Sequence, residues 1–492
     1  VTGFERARRL EAARAHEAAG RATEALAEAW AALDLDPGDA EAKSLIAQVL
    51  RHHPASAPDE RRDGLARLID DPRVEPSVVA RAAWHLLLRE GRPLAELASD
   101  PAALAVWAEA DPLATRLLEE SPVTVPGAER ALTRLRRWLL QSSRWPEFPR
   151  LVAALAAQAA WNGGAWLIEP DERARLEAEP DGPMAAAYFP PPPTAETAAF
   201  ADPVTAAVAA QYRDWPYPAW SRITPPRPQT VPGLVESLDR GRPSGLPVAA
   251  ELLVAGCGTG REAALWALRF PDARITAIDL STASLAYARA RCRALGLDER
   301  IHFRRLDLQS VADLGKTFDF ISCSGVLHHL PDPEAGWAAL AAVLRPGGAM
   351  RVMLYSKIAR LKVRAAQRHL ADLQGRPVDA DLLREARRRL IERAPELLAT
   401  WIDFYTLAGV HDLLLHRHED PFDVPRIVRA LDRLGLELLA FALPTPFHRA
   451  RYRREHPDDP TFRDVEAWAA LEKRDPFLFQ GMYKLHCRKP AA

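Results

Sequence analysis

The sequence predicts a chain of two dissimilar parts: an all-α region over residues 1–180, and an α/β domain over residues 205–492 built on a largely parallel sheet with helices on both faces. Three observations carry this. Apolar residues between positions 4 and 180 recur at helical spacing, interrupted by Pro and Gly. The run YFPPPPT then supplies a stiff, extended stretch, the core of a linker placed at 181–204. Beyond Leu246 strand-like and helix-like segments alternate as far as Ser356, the pattern of parallel strands joined by crossover helices.

In the first part, residues 4–50 read as paired helices. Ala12, Gly20, Ala25, Ala29, Ala32 and Pro37 fall near the small-residue positions of a tetratricopeptide (TPR) unit, whose period is about 34 residues. A second unit begins at Asp39 and is broken at Pro54. One repeat cannot bury its own faces, so it must lean on the helices that follow. Those are expected in VVARAAWHLLL and ALTRLRRWLL, whose apolar residues share one helical face. The most apolar long stretch, Leu151 to Ile168, contains Gln158, Asn162 and the pair Gly163-Gly164, which fits a buried helix better than a membrane span. A TPR-like region makes a protein or peptide partner the expectation for this half.

Composition narrows the function classes. With 65 basic and 66 acidic residues the net charge is −1, so nothing global attracts the chain to nucleic acid or to an anionic membrane. Four cysteines, none in a C-x-x-C pair, signal neither a zinc knuckle nor a disulfide framework. The first twenty residues alternate charge with alanine and lack the apolar stretch of a signal peptide. The expected location is cytoplasmic.

Four features of the second part bear on chemistry. The segment QYRDWPYPAW, residues 211–220, alternates prolines with Tyr212, Trp215, Tyr217 and Trp220, a stiff aromatic stretch able to lie over a ligand or to pack as a plain anchor. Next, the apolar strand LLVA runs into Gly256-Cys257-Gly258-Thr259-Gly260 and a helix at Arg261. Glycines admit a ligand close to the backbone, and a helix N-terminus offers unpaired N–H groups. A dinucleotide fingerprint would require a third glycine where Arg261 stands. Strands ending at Asp279 (RITAIDLS) and Asp307 (IHFRRLDL) then place two carboxylates at the sheet's carboxyl edge, the first suited to a ribose diol. Last come FDFISCSGVLHHLPDP and LRPGGAMRVMLYS, two further strand segments, the first opening into a loop with His328 and His329.

Taken in order, AGCGTG, the Asp279 ending, the Leu306-Asp307 pair, GVLHHLPDP and LRPGG resemble the class I S-adenosylmethionine (SAM)-dependent methyltransferases over residues 205–356. More loosely, the whole chain resembles a bacterial group in which TPR-like helices precede such a domain. The resemblance implies a Rossmann-like sheet of seven strands with an antiparallel last strand, and methyl transfer from SAM to an acceptor that is a small molecule, a peptide or a protein. It places the cofactor on Gly256, Cys257, Gly258, Gly260, Asp279, Leu280, Asp307 and Leu308, with Ser324 and Val326 near the methionine end; Tyr212 joins them if residues 211–220 form a flap. Many members carry an acid two positions before the first loop glycine; here Val254 stands there.

VPRIVRALDRLGLELLAFALP (424–444) and FLFQGMYKLHCRKP (477–490) fit the closing helix and strands. Between them and the core, 357–423 reads as a helical insertion, assigned to substrate recognition because loops at the carboxyl edge build such pockets. It holds Asp403, Tyr405, His411, His416, His418, Glu419 and Asp420, whose spacing matches no known metal-ligand pattern, so no metal is expected. His411 beside Asp412 reads as a cap or surface residue. Candidates for a catalytic base are His328, His329, Tyr355 and Tyr405. The competing function is a catalytically silent SAM fold that serves as a protein scaffold.

Overall fold

The computed structural model describes residues 2–89, 93–182, 184–189, 202–239, 241–396, 401–443, 445–476 and 478–491. Most of the expected linker at 181–204 lies outside them. The chain divides into two compact units: one of Val1–Pro192, Ala219–Thr224 and Ala366–Leu415, the other of Pro193–Pro218, Pro225–Ala365 and His416–Ala492.

Among the described residues of the first unit, every regular element is a helix. Helices Thr2–Ala18 and Ala22–Leu35 meet at a turn where Gly20 has φ +76°. Ala25, Ala29 and Ala32 are fully buried on the second helix, the close approach that small residues permit. Pro37 follows the helix end, and Asp39 starts the next helix, Ala40–His52, by accepting from the amides of Glu41 (2.7 Å) and Ala42 (3.1 Å). The buried core of this unit runs from Leu10 to Tyr188. No described helix is long and apolar enough to cross a membrane.

The division differs from the sequence expectation in one segment. The sequence places residues 357–423 in the α/β domain, whereas Ala366–Leu415 groups with the helices. The physical reason is Arg387 on helix Ala380–Arg393, whose side chain is wholly buried. It donates to both carboxylate oxygens of Glu129 (2.8 and 2.9 Å), to the Phe404 carbonyl (2.9 Å) and to that of Ala165. Arg384, one turn earlier, donates to the Gly164 carbonyl at 2.8 Å. Ala219–Thr224 joins the same unit through Arg222, which reaches the Ile69 carbonyl (2.7 Å) and Glu120 (2.9 Å).

The second unit is built on seven strands: β1 Glu251–Ala255, β2 Arg274–Asp279, β3 Ile301–Arg305, β4 Phe318–Ser324, β5 Leu344–Tyr355, β6 Glu437–Phe441 and β7 Met482–Arg488. Their order is β3-β2-β1-β4-β5-β7-β6. Strands β1 to β5 run parallel, and β7 lies antiparallel between β5 and β6. This is the Rossmann-like, seven-stranded class I arrangement. Apolar runs on β1 and β4 are buried on both sides, as a central strand covered by helices requires. Between β1 and β4 the strand order reverses, which opens a crevice at the carboxyl edge.

The Arg387–Glu129 pair yields a stability prediction. Arg387→Met leaves a buried carboxylate without its partner and should cost about 3–5 kcal/mol. Adding Glu129→Gln should recover part of that loss. Denaturant melts of the three variants check it; a loss below about 1 kcal/mol for Arg387→Met would show that the pair is dispensable.

Candidate functional site

The glycine turn after β1 is shaped by what stands around it. Gly256 has φ +69°, and a Cβ there would meet Val326 at 2.3 Å, so this glycine exists to let the loop after β4 close against β1. At Gly258, φ +50°, a Cβ would come within 3.1 Å of the Tyr217 carbonyl oxygen. Gly260 then caps helix Arg261–Arg269. The Cys257 amide donates to the Ile278 carbonyl (2.9 Å), and the Gly258 amide to Asp279 Oδ2 (2.7 Å).

Asp279 is thus more than a strand-ending acid. Its Oδ1 accepts from the Ser281 amide at 2.9 Å, so one carboxylate ties the β1 turn to the turn after β2. Burial pushes its pKa above the ordinary value, against the opposing effect of the Ser281, Gly258 and Leu280 amides. Next door, Asp307 accepts from the Gln309 amide (2.9 Å) and opens the 3-10 turn Leu308–Leu314, in which Leu308 is buried. Along the carboxyl edge the order is therefore Asp307, Asp279, the glycine turn and Ser324, following β3, β2, β1 and β4.

Residues 212–218 lie across this turn. The Tyr212 carbonyl accepts from Ser281 Oγ (3.0 Å), and Thr259 Oγ1 donates to the Pro218 carbonyl (2.6 Å). The Tyr217–Pro218 peptide is cis. Tyr212 Oη stands 3.4 Å from His416 Nε2. Arg213 bonds to its neighbour Asp214 at 2.6 and 2.9 Å.

A second constellation gathers at the ends of β4 and β5. His328 and His329 occupy the 3-10 turn Leu327–His329, and Tyr355 ends β5. His328 is fully buried and stacks on Tyr355 with ring centroids 3.9 Å apart. Its Nδ1 accepts from the Tyr355 amide (3.2 Å), so in the neutral ring the proton is on Nε2. Burial drives its pKa well below the ordinary value, and His329, His416 and Arg360 add to the effect. For His329, Nδ1 meets the His418 carbonyl at 2.9 Å and must donate, which makes Nε2 its basic nitrogen. His329 stacks on His416 at 3.7 Å. The structure therefore brings His328, His329, Tyr355 and His416 together. Tyr405 instead belongs to the helical unit, where burial and then Glu129 raise its phenol pKa. His411, expected at a surface or cap, is buried on helix Leu407–Leu414 of that unit.

One cluster escaped the sequence reading. Glu262, in the first turn of the helix after the glycine loop, accepts on Oε1 from Ser322 Oγ and Ser324 Oγ (2.8 Å each), Trp266 Nε1 (3.2 Å) and Arg351 Nη1. Register explains the convergence. Val254, Ser322, Arg351 and His486 form one lateral row across β1, β4, β5 and β7, so their side chains share a face. Only the strand pairing reveals it, since the partners are scattered along the chain.

This sheet order and this turn, with Asp279 ending β2 and Asp307 just beyond β3, define a class I SAM-dependent methyltransferase domain in the C-terminal half of the chain. Residues 252–348 match the family model of the methyltransferase domain. An uncharacterized protein of Synechococcus sp. is 34% identical over 268 residues, covering 50% of this chain and 62% of that one. The release factor glutamine methyltransferase of Chlorobaculum tepidum is 39% identical over 129 residues, 25% of this chain and 42% of that one. For the ubiquinone biosynthesis O-methyltransferase of Alkalilimnicola ehrlichii the figures are 36% over 98 residues, 20% and 38%. The chain spans less than two thirds of each of these relatives.

His486 in the lateral row gives a pH prediction. Burial, helped by Arg351 and Arg269, pushes its pKa from 6.5 down to about 3. The folded chain thus refuses a proton that the unfolded chain takes up below 6.5, so this residue's contribution to stability falls as pH drops through that window, by about 1.4 kcal/mol per pH unit. His486→Gln should flatten the acid limb of the stability curve by that slope; identical limbs in parent and variant would refute the assignment.

Proposed function

We propose that this protein is an active methyltransferase that binds SAM along the carboxyl edge of the sheet and transfers its methyl group to a small-molecule, peptide or protein acceptor. The observation that supports this most is the lateral order of Asp307, Asp279, the glycine turn and Ser324. An adenine beside Leu308 and Asp307, a ribose at Asp279 and Leu280, and a methionine end running past Gly256, Cys257, Gly258 and Gly260 toward Ser324 and Val326 fit that order. Asp279 retains acceptor capacity for a diol, because a carboxylate offers about four lone-pair directions and the neighbouring amides of Gly258, Leu280 and Ser281 do not use them all.

SAM supplies an electrophilic methyl group whose leaving group is a neutral thioether, so the protein's task is orientation and exclusion of water. The glycine turn fixes the cofactor's path, and residues 212–218 cover it. Of the two imidazoles after β4, His328 uses its one lone pair on the Tyr355 amide, which leaves His329 as the candidate base for an acceptor that must shed a proton. The named relatives are a release factor glutamine methyltransferase and an O-methyltransferase of ubiquinone biosynthesis, two unlike enzymes, so the acceptor is not carried over from them.

Isothermal calorimetry with SAM, followed by methyl incorporation from labelled SAM into extract fractions, tests the proposal. Asp279→Ala removes both the loop anchor and the acceptor of charge-assisted bonds, and should weaken SAM binding about tenfold or more. SAM binding without any methyl transfer would favour the silent scaffold; preference for a nicotinamide dinucleotide would refute both.

The segment over the turn is tested separately. Tyr212→Phe and Tyr217→Phe delete only a hydroxyl and keep the packing of the rings. As a cofactor flap, at least one of them should weaken SAM binding with little change in melting temperature. Parent-like SAM affinity in both variants would reduce the segment to an anchor.

A further inference from the structure

Glu262 and its partners stand at the β1/β4 crevice, where the strand order reverses and open α/β sheets receive ligands. Two observations set this carboxylate apart. Its side chain is 19% exposed and that of Arg351 is 18% exposed, so the ion pair is sheltered yet reachable. Furthermore, Ser322, Ser324, Trp266 and Arg351 all donate to Oε1, while Oε2 accepts no hydrogen bond from the described residues. The arrangement holds one carboxylate oxygen rigidly and leaves the other available to a ligand. A carboxylate fixed in this way selects a donor, above all a cation.

We infer that Glu262, oriented by Arg351 and the hydroxyls of Ser322 and Ser324, receives through Oε2 the α-ammonium group of the cofactor's methionine end. The inference rests on the SAM reading above and deepens it. With adenine and ribose assigned to β3 and β2, the amino-acid end crosses β1 toward Ser324, whose Oγ bonds to both Glu262 (2.8 Å) and Arg351 (2.9 Å). An amino acid is a zwitterion, and Glu262 with Arg351 is a fixed pair of opposite charges to match it. Strand β1 itself offers no charge to this row: Val254 occupies its place there and is fully buried. Helix Arg261–Arg269 instead delivers the carboxylate from above.

The test compares two ligands by calorimetry on the full chain: SAM, and 5′-methylthioadenosine, which keeps adenine and ribose and lacks the amino-acid end. Glu262→Gln should raise the Kd for SAM about tenfold or more and leave that for methylthioadenosine within about twofold. Arg351→Met should follow the same pattern, because it releases the carboxylate that Arg351 orients. Glu262→Asp, which keeps the charge, should recover part of the SAM affinity and also serves if the Gln variant folds poorly. Unchanged SAM affinity in Glu262→Gln overturns the assignment. A parallel loss of both ligands also overturns it, since a merely structural role would affect adenine and ribose binding too. If the parent chain binds neither ligand, the SAM reading itself has failed.

Discussion

The hydrogen bond from the Gly258 amide to Asp279, at 2.7 Å, joins two turns that the sheet only brings near one another. Without it the glycine turn would be held by the Cys257 amide on β2, by its own Gly260-to-Cys257 bond and by Thr259 on Pro218, with no tie to the turn after β2. Asp279 closes that gap and holds Ser281 with its other oxygen. Ser281 in turn bonds the Tyr212 carbonyl, and Thr259 bonds that of Pro218. One carboxylate thus organises the strand ends, the turn and the segment lying over it. Burial raises its pKa, so the ionised form is held against a desolvation cost that the amide hydrogen bonds oppose.

Electrostatics on the helix-covered face of the sheet obey the same economy. Arg351 lies half-buried beside His486, which burial keeps neutral and the neighbouring guanidinium disfavours further as a cation. Glu262 then balances Arg351 from the helix, so the row needs no acid on β1. The imidazoles after β4 solve a similar problem with hydrogen bonds. His328 is kept neutral by burial and fixed by the Tyr355 amide, and the Asp420 amide donates to its carbonyl at 2.8 Å, lacing the returning chain to the end of β4.

Much of the second unit could be read from sequence because its signals are local. Glycines at 256, 258 and 260, Asp279 ending β2 and Asp307 just beyond β3 each occupy a position dictated by a turn or by a strand end, and sequence order alone sets them in a line. The Glu262 cluster was not legible, since it depends on register among β1, β4, β5 and β7, which no short window of sequence contains. The burial of Tyr405 and His411 was illegible for a related reason. Polar residues in a helical stretch look like pocket or surface groups until the burying partners are known, and here those partners lie within the helical unit.

That unit also shows why an interval between two recognisable strands is a poor guide to domain membership. Ala366–Leu415 leaves the α/β domain after β5 and returns before β6, yet its Arg387 is committed to Glu129, 258 positions earlier. A wholly buried guanidinium bonded to a carboxylate and two carbonyls has one environment in which its desolvation is offset, and Glu129, Ala165 and Phe404 provide it. It follows that the helical unit cannot complete its core until the chain has been made past Leu415, by which point β1 to β5 are already available to pair. Such a contact of long sequence separation carries a large loop-closure cost and belongs late in folding. The two units are therefore interwoven along the chain, and cutting the protein at its Pro-rich stretch would strand Arg387 on one fragment and Glu129 on the other.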